Sequence, residues 1–421
     1  MPLPALIGSD TRYPGQGQSN LRPNNEIVYS EQQQIGVYGP FFVSGAVRYV
    51  ACLTTSGSYA TREYRADIYK STNGGQTWTR QGTGPLLINA LESYEWNPAA
   101  LYAIEDPARD TIHIIYLASP TDDAVTRIAI RPFDVSTDTW GADAGMFATS
   151  AMADEAQPFS AVLRSDGKIV CFHTLLSGSV THVVYRIWDS GTWSEPSTYL
   201  TGQGTEETSQ AERAAVAIST SDRAHIFAAG EYSTDPPQQR HVSFAADDSN
   251  GTWQVAFEFA FASGRDWRSE PINDAGMVRM AYVAPGGEIR MASATSAENP
   301  TWVTELIATS SVLAINRQAP VVALGRKADG TLVAAWINAD QEMYWSQKSG
   351  TWSDPELLDY GANTLSIRGF GSTFGVVYSK ATQSGSTGDR RIQAVEAPVW
   401  YTEPGGTPTP PTGARSLYFA I

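Results

Sequence analysis

Six tryptophans, each closing a short run of small polar residues, recur along the chain with near-regular spacing. They end the runs NGGQTW at Trp78, VSTDTW at Trp140, DSGTW at Trp193, DSNGTW at Trp253, ENPTW at Trp302 and KSGTW at Trp352, so consecutive ones lie 62, 53, 60, 49 and 50 residues apart. Two continue almost identically, as GTWSEP (191–196) and GTWSDP (350–355), and a weaker seventh unit ends at EAPVW, Trp400. A period of about 50 residues is that of a supersecondary unit which cannot bury its own apolar faces and must stack on its neighbours.

Each unit carries a second pattern upstream of its tryptophan. PFSAVLRSDGKIVCFHTL (158–175) is two apolar runs joined by Asp166-Gly167, and APVVALGRKADGTLVAAWI (319–337) repeats the plan around Asp329-Gly330. GMVRMAYVAPGGEIRMASA (276–294) uses Gly286-Gly287, and RAAVAISTSDRAHIFAAGEY uses Ser221-Asp222. Asp-Gly and Gly-Gly supply the positive φ angles that tight hairpins need. A third run such as EMYWSQK (342–348) precedes the tryptophan turn, and a fourth such as SDPELLD follows it. No segment sustains a helical apolar stripe over three turns.

Four short antiparallel strands per unit predict an all-β chain folded as a β-propeller of six or seven four-stranded blades. Seven is the count the pattern favours, at about 38–84, 95–145, 157–200, 210–262, 266–308, 316–359 and 363–401. The domain reading is an extended N-terminal arm over 1–25, the propeller over 26–402, and a Pro-rich linker with an apolar docking peptide over 403–421. EIVYS (26–30) reads as a strand closing the ring against the last blade. The tail ARSLYFAI alternates apolar residues at Leu417, Phe419 and Ile421 beyond the semi-rigid EPGGTPTPPT. The arm and the tail are the expected contacts to other protein subunits.

Composition agrees with a β fold and narrows the partners. Twelve Trp and 19 Tyr accompany 36 Gly and 24 Pro, and 42% of residues are hydrophobic. The 29 basic residues, only five of them Lys, are outnumbered by 44 acids, for a formal charge of −15. That charge disfavours nucleic acid and anionic lipid as partners. No stretch reaches the ~20 apolar residues of a membrane span. Cys52 and Cys171 fit two buried free thiols rather than a disulfide or metal framework. The five histidines show no ligand spacing, so neither a metal nor a cofactor is expected. The N-terminal stretch has no basic n-region and no signal-length apolar run, so cytosolic synthesis is the expectation.

Ser71 to Trp78, STNGGQTW, resembles the Asp-box (BNR repeat) of sialidase-like propellers, S/T-x-D-x-G-x-T-W, with Asn73 where that family has Asp. Asn keeps the ability to bond its own turn backbone. Asn73, Gly75 and Trp78, and the echoes at Trp193, Trp253 and Trp352, are therefore expected to be structural turn residues. The resemblance implies a propeller whose boxes lie away from any active site. It also implies an arginine triad, a Tyr-Glu nucleophile pair and an Asp acid/base, of which the usual F/Y-R-I-P motif is missing; YRIW (185–188) places Arg186 mid-chain instead. No catalytic residues are assigned.

The segments that lead into each innermost strand group polar and aromatic residues: YEWNP, DEAQPF, QAERAA, DWRSEP and INRQAP. Their Glu95, Trp96, Glu155, Glu212, Arg213, Trp267, Arg268 and Arg317 are the candidate ligand-binding residues on the channel face. Arginines there suit an acidic group and the tryptophans suit a sugar ring. Salt bridges between blades around a wet channel are the alternative use of the same residues. The leading functional expectation is a non-enzymatic propeller acting as a structural or adhesive, receptor- or glycan-binding part of a larger assembly. A phage virion (tail, fibre or decoration protein) fits that expectation, with a cytoplasmic location otherwise. A sialidase-like glycoside hydrolase and a free lectin-like propeller are the alternatives.

Overall fold

The computed structural model describes the chain within residues 26–397. The ends (1–25 and 398–421), the connections 31–36, 57–62, 88–100, 119–126, 149–158, 201–214, 230–237, 245–253, 259–268, 311–321 and 382–389, and some shorter turns lie outside the description. Every regular element described is a β-strand. Among these residues no helix is long and apolar enough to cross a membrane.

The described strands pair into seven antiparallel sheets of four or five strands, taken in chain order. The first strand of each is Val37–Ser44, Leu101–Asp106, Phe159–Leu163, Ala215–Ile218, Ile272–Asp274, Val322–Arg326 and Ala362–Phe370. Each of these strands neighbours the next in this order, and Ala362–Phe370 neighbours Val37–Ser44. The first strands thus form a closed cycle, with later strands stepping outward. This is a β-propeller, as the repeat in the sequence predicts.

The last sheet takes its outer strand from the start of the chain. Glu26–Ser30 pairs antiparallel with Arg390–Ala397, with Tyr29 opposite Arg391. The first sheet shows how the units are built. Val37–Ser44, Val47–Ser56 and Glu63–Ser71 run as a meander, and Glu63–Ser71 then carries two short outer pieces, Thr79–Arg80 and Leu86–Leu87.

The sixth sheet refines the expected fourth strand. Thr351–Trp352 and Glu356–Tyr360 pair separately with Glu342–Ser349. Pro355 between them has no N–H to give the ladder, so one continuous strand becomes two. Hairpin geometry follows the dipeptides: Gly167, Gly286, Gly287 and Gly330 all have φ between 79° and 88°.

Core side chains lie between consecutive sheets, which is why second strands lose the polar alternation of a one-sided sheet. Leu332–Ile337, LVAAWI, is buried at every position. Its Leu332, Ala334 and Trp336 pack with Ile289, Met291 and Ile307 of the fifth sheet. A second cluster runs from Phe41 and Ile68 through Ile114 and Phe133 to Phe159 and Cys171, joining the first three sheets. Cys52 and Cys171 are both free and buried, and burial raises both thiols.

Candidate functional site

The tryptophan turns are closed by short-range side-chain bonds and packed against the preceding sheet. In the first unit Asn73 Oδ1 accepts from the Thr77 backbone N–H at 2.9 Å, and its Nδ2 donates to Thr77 Oγ1 at 2.8 Å. Asn73 therefore closes the turn by side-chain bonding to the chain four residues on. Trp140 lies over Gly82 of the preceding unit, where an added Cβ would sit 3.2 Å from the indole Cδ1. Its Nε1–H donates to the Gln81 carbonyl at 2.7 Å, and its ring meets Phe133 edge-on at 5.2 Å. Trp193 repeats the placement over Gly145 and packs on Phe147 with centroids 5.0 Å apart. The recurrent tryptophan is thus a wedge between one sheet and the one before it. Trp78 and Trp352 also pack, partly buried, against core clusters. Gly75 and Trp253 lie outside the described residues.

Arg186 has a structural occupation. Its guanidinium sits 4.5 Å from the Phe147 ring centroid and donates from Nη1 to the Ser194 carbonyl at 2.7 Å.

Three acids anchor contacts between sheets, two directly and one through an arginine. Asp106 is fully buried at the end of Leu101–Asp106. It accepts from Arg109 Nη1 at 2.7 Å and from the Ala108 N–H at 3.2 Å, and lies 3.4 Å from His113 Nε2. Arg109 also donates to the Gly167 carbonyl in the third sheet at 3.3 Å; a Cβ on Gly167 would stand 2.2 Å from that guanidinium. His113 is buried edge-on against Trp188 of the third sheet, centroids 5.3 Å apart. Burial pulls the His113 pKa down, with Asp106 opposing, so the ring is neutral at pH 7.

Asp274 accepts from Arg279 at 2.6 Å with one oxygen and from Arg326 of the sixth sheet at 2.7 Å with the other. Asp138 takes the Tyr49 hydroxyl at 2.7 Å and the Lys70 ammonium, both from the first sheet. Asp138 and Asp274 are thus engaged across neighbouring sheets, while Asp106 is held within the second sheet and reaches the third only through Arg109. Among the described residues no three His, Cys, Asp or Glu side chains are grouped to hold a metal.

The candidate channel-face residues Glu95, Trp96, Glu155, Glu212, Arg213, Trp267, Arg268 and Arg317 all lie outside the described residues. What is described is the strand ends they feed. Tyr38 and Tyr102, each the second residue of its innermost strand, face one another with ring centroids 5.2 Å apart, and the Tyr38 hydroxyl donates to the Leu101 carbonyl at 2.7 Å. Further along the same two strands the Phe42 N–H donates to Glu105 at 2.7 Å. Sequence reasoning passed over this pair and the Asp106 and Asp274 bridges. A tyrosine in an apolar strand and an acid at a hairpin give no local sign of their distant partners.

No protein-family model matches the chain, and no curated protein matches it in sequence. Its fold does match solved structures. A lectin from Burkholderia pseudomallei superposes with a TM-score of 0.57 at 14% identity, over 89% of this chain and 99% of that one. The polysaccharide lyase Uly1 gives 0.49 at 9% identity over 89% and 98%, and the six-bladed fucose-recognising lectin of Aleuria aurantia 0.43 at 13% over 76% and 99%. At these identities the likeness is one of fold.

Proposed function

We propose that this chain is a carbohydrate-binding propeller of seven blades, adhesive rather than catalytic. The observation that carries the reading is the cycle of seven first strands. In a propeller the segments entering such strands converge at one end of the axis. In this sequence those segments hold Glu95, Trp96, Glu155, Glu212, Arg213, Trp267, Arg268 and Arg317. Carboxylates and guanidinium groups bond vicinal sugar hydroxyls, and indole faces stack on the apolar face of a pyranose. The fold shared with a bacterial lectin agrees with this use. Asp138 and Asp274, bonded across sheets, and Asp106, held by Arg109, serve the scaffold, so the binding reading draws on the strand-entry segments.

The test is a glycan array with the purified full chain, followed by calorimetry on any hit with Trp267→Ala and Arg268→Ala. Binding lost in both variants at unchanged melting temperature supports the site. Absence of any bound glycan at millimolar concentration overturns the binding reading, and release of aryl aglycone from a glycoside panel overturns the non-catalytic one.

A further inference from the structure

The outer edges of the described sheets are not alike. In the first, second, third and sixth sheets the outer edge is broken in two: a two-residue piece at the tryptophan turn (Thr79–Arg80, Thr139–Trp140, Thr192–Trp193 and Thr351–Trp352) and a separate piece beyond it, Leu86–Leu87, Met146–Ala148, Ser197–Leu200 and Glu356–Tyr360. Short outer strands are a common protection against edge-to-edge pairing. In the fourth and fifth sheets the outer strand is continuous; it has five residues in the fourth, Gln254–Glu258, and seven in the fifth, where Val303–Thr309 runs along Glu288–Thr295.

That edge is also apolar where it meets water. Val303 is 64% exposed and Leu306 44%, two of the three exposed large hydrophobics among the described residues. They are an odd number of positions apart in a regular stretch of the ladder, so one shows on each face of the sheet. The strand's single charge does not guard it, because Glu305 is engaged by Lys348 of the sixth sheet.

The chain itself holds a segment that fits. Residues 416–421, SLYFAI, put Leu417, Phe419 and Ile421 on one face of an extended strand and Tyr418 and Ala420 on the other. An apolar residue on each face of the edge thus meets an apolar row on each face of the peptide. Residues 398–415 lead there from Arg390–Ala397, contain the Pro-rich EPGGTPTPPT, and can span up to about 55 Å at ~3.1 Å per residue. A tether of this kind gives the peptide a millimolar-scale effective concentration at its own chain's edge, ahead of a second copy at ordinary concentrations.

We propose that residues 416–421 add, within the same chain, as an extra strand along the outer edge of Val303–Thr309. The backbone supplies the affinity and the two apolar rows fix the register, as in strand-addition recognition. The sequence assigns the tail to other subunits; this inference gives it to the chain's own fifth sheet.

The experiment is amide hydrogen exchange of the full-length protein, read on peptides covering 303–309, for the wild type, Phe419→Asp and Val303→Lys. Phe419→Asp should speed exchange there by about tenfold or more while the other sheets are unchanged, because only the added strand is lost. Val303→Lys, on the other side of the contact, should do the same. Equal exchange in wild type and Phe419→Asp overturns the proposal. Protection that disappears on dilution also overturns it, since the occupant would then be a second copy.

Discussion

Acidification from pH 7.5 to 4.5 should weaken this protein through His225, and the effect can be sized. His225 lies within Ala224–Ala229, opposite Ala217 on one side and Ser243 on the other, and is fully buried. Burial first, and the nearby Arg223 second, lower its pKa from 6.5 to about 4. Between those two values the unfolded chain binds a proton that the folded chain refuses. Stability is therefore untouched above pH 6.5, falls as the pH drops through 6.5, and stops falling near pH 4. Each pKa unit is worth about 1.4 kcal/mol, so the loss is roughly 2 kcal/mol at pH 5 and roughly 3 at pH 4. Urea unfolding followed by tryptophan fluorescence at pH 7.5, 6.0, 5.0 and 4.5 gives the slope for wild type and His225→Gln. Carboxylates contribute equally to both, so the difference isolates the imidazole, and the variant should lose about one proton's worth of slope. Identical slopes, or an NMR titration placing the His225 ring near 6.5, would refute the reasoning.

His113 works in the same direction as the pH falls below 6.5, because burial also lowers its pKa, so His113→Gln should flatten the acid limb further. Asp106→Ala removes the acceptor shared by Arg109 and His113 and should cost about 2–4 kcal/mol, measured by the same urea curves at pH 7.5. At Gly84 an added Cβ would sit 1.7 Å from the Ala66 carbonyl oxygen, and its N–H donates to buried Asp67 at 3.1 Å. Gly84→Ala should therefore fail to give soluble protein or lose ~4 kcal/mol or more, whereas Gly350→Ala, with open space but φ of 89°, should cost only about 1 kcal/mol. Trp140→Phe deletes the indole bond to Gln81 and should lose more stability than Trp193→Phe, whose Nε1 has no partner among the described residues; equal melting shifts would contradict the wedge as described.

Much of the architecture was legible because it is written locally. Asp166-Gly167 and Asp329-Gly330 demand hairpins wherever they stand, since the glycines must take positive φ. The Ser71–Asn73–Thr77 turn closes within seven residues, and alternating or wholly apolar runs of five to ten residues can be little but strands. The EIVYS strand was legible for a related reason: an apolar run with no hairpin partner nearby needs a distant one, and Arg390–Ala397 supplies it.

What tertiary structure alone decided is everything made between units. Arg109 reaches a carbonyl 58 positions away, Lys70 a carboxylate 68 away and Trp140 a carbonyl 59 away. Nothing in the flanking residues marks these side chains apart from any other arginine, lysine or tryptophan. The repeat told that the sheets stack, but not which polar groups the stacking would desolvate. Once desolvated, each buried acid must find a partner, and the partner it finds is set by the rotation between neighbouring sheets. The exposed edge at Val303–Thr309 belongs to the same class: the sequence shows an apolar-rich run after Trp302, and only its pairing as the outermost strand leaves Val303 and Leu306 open to water.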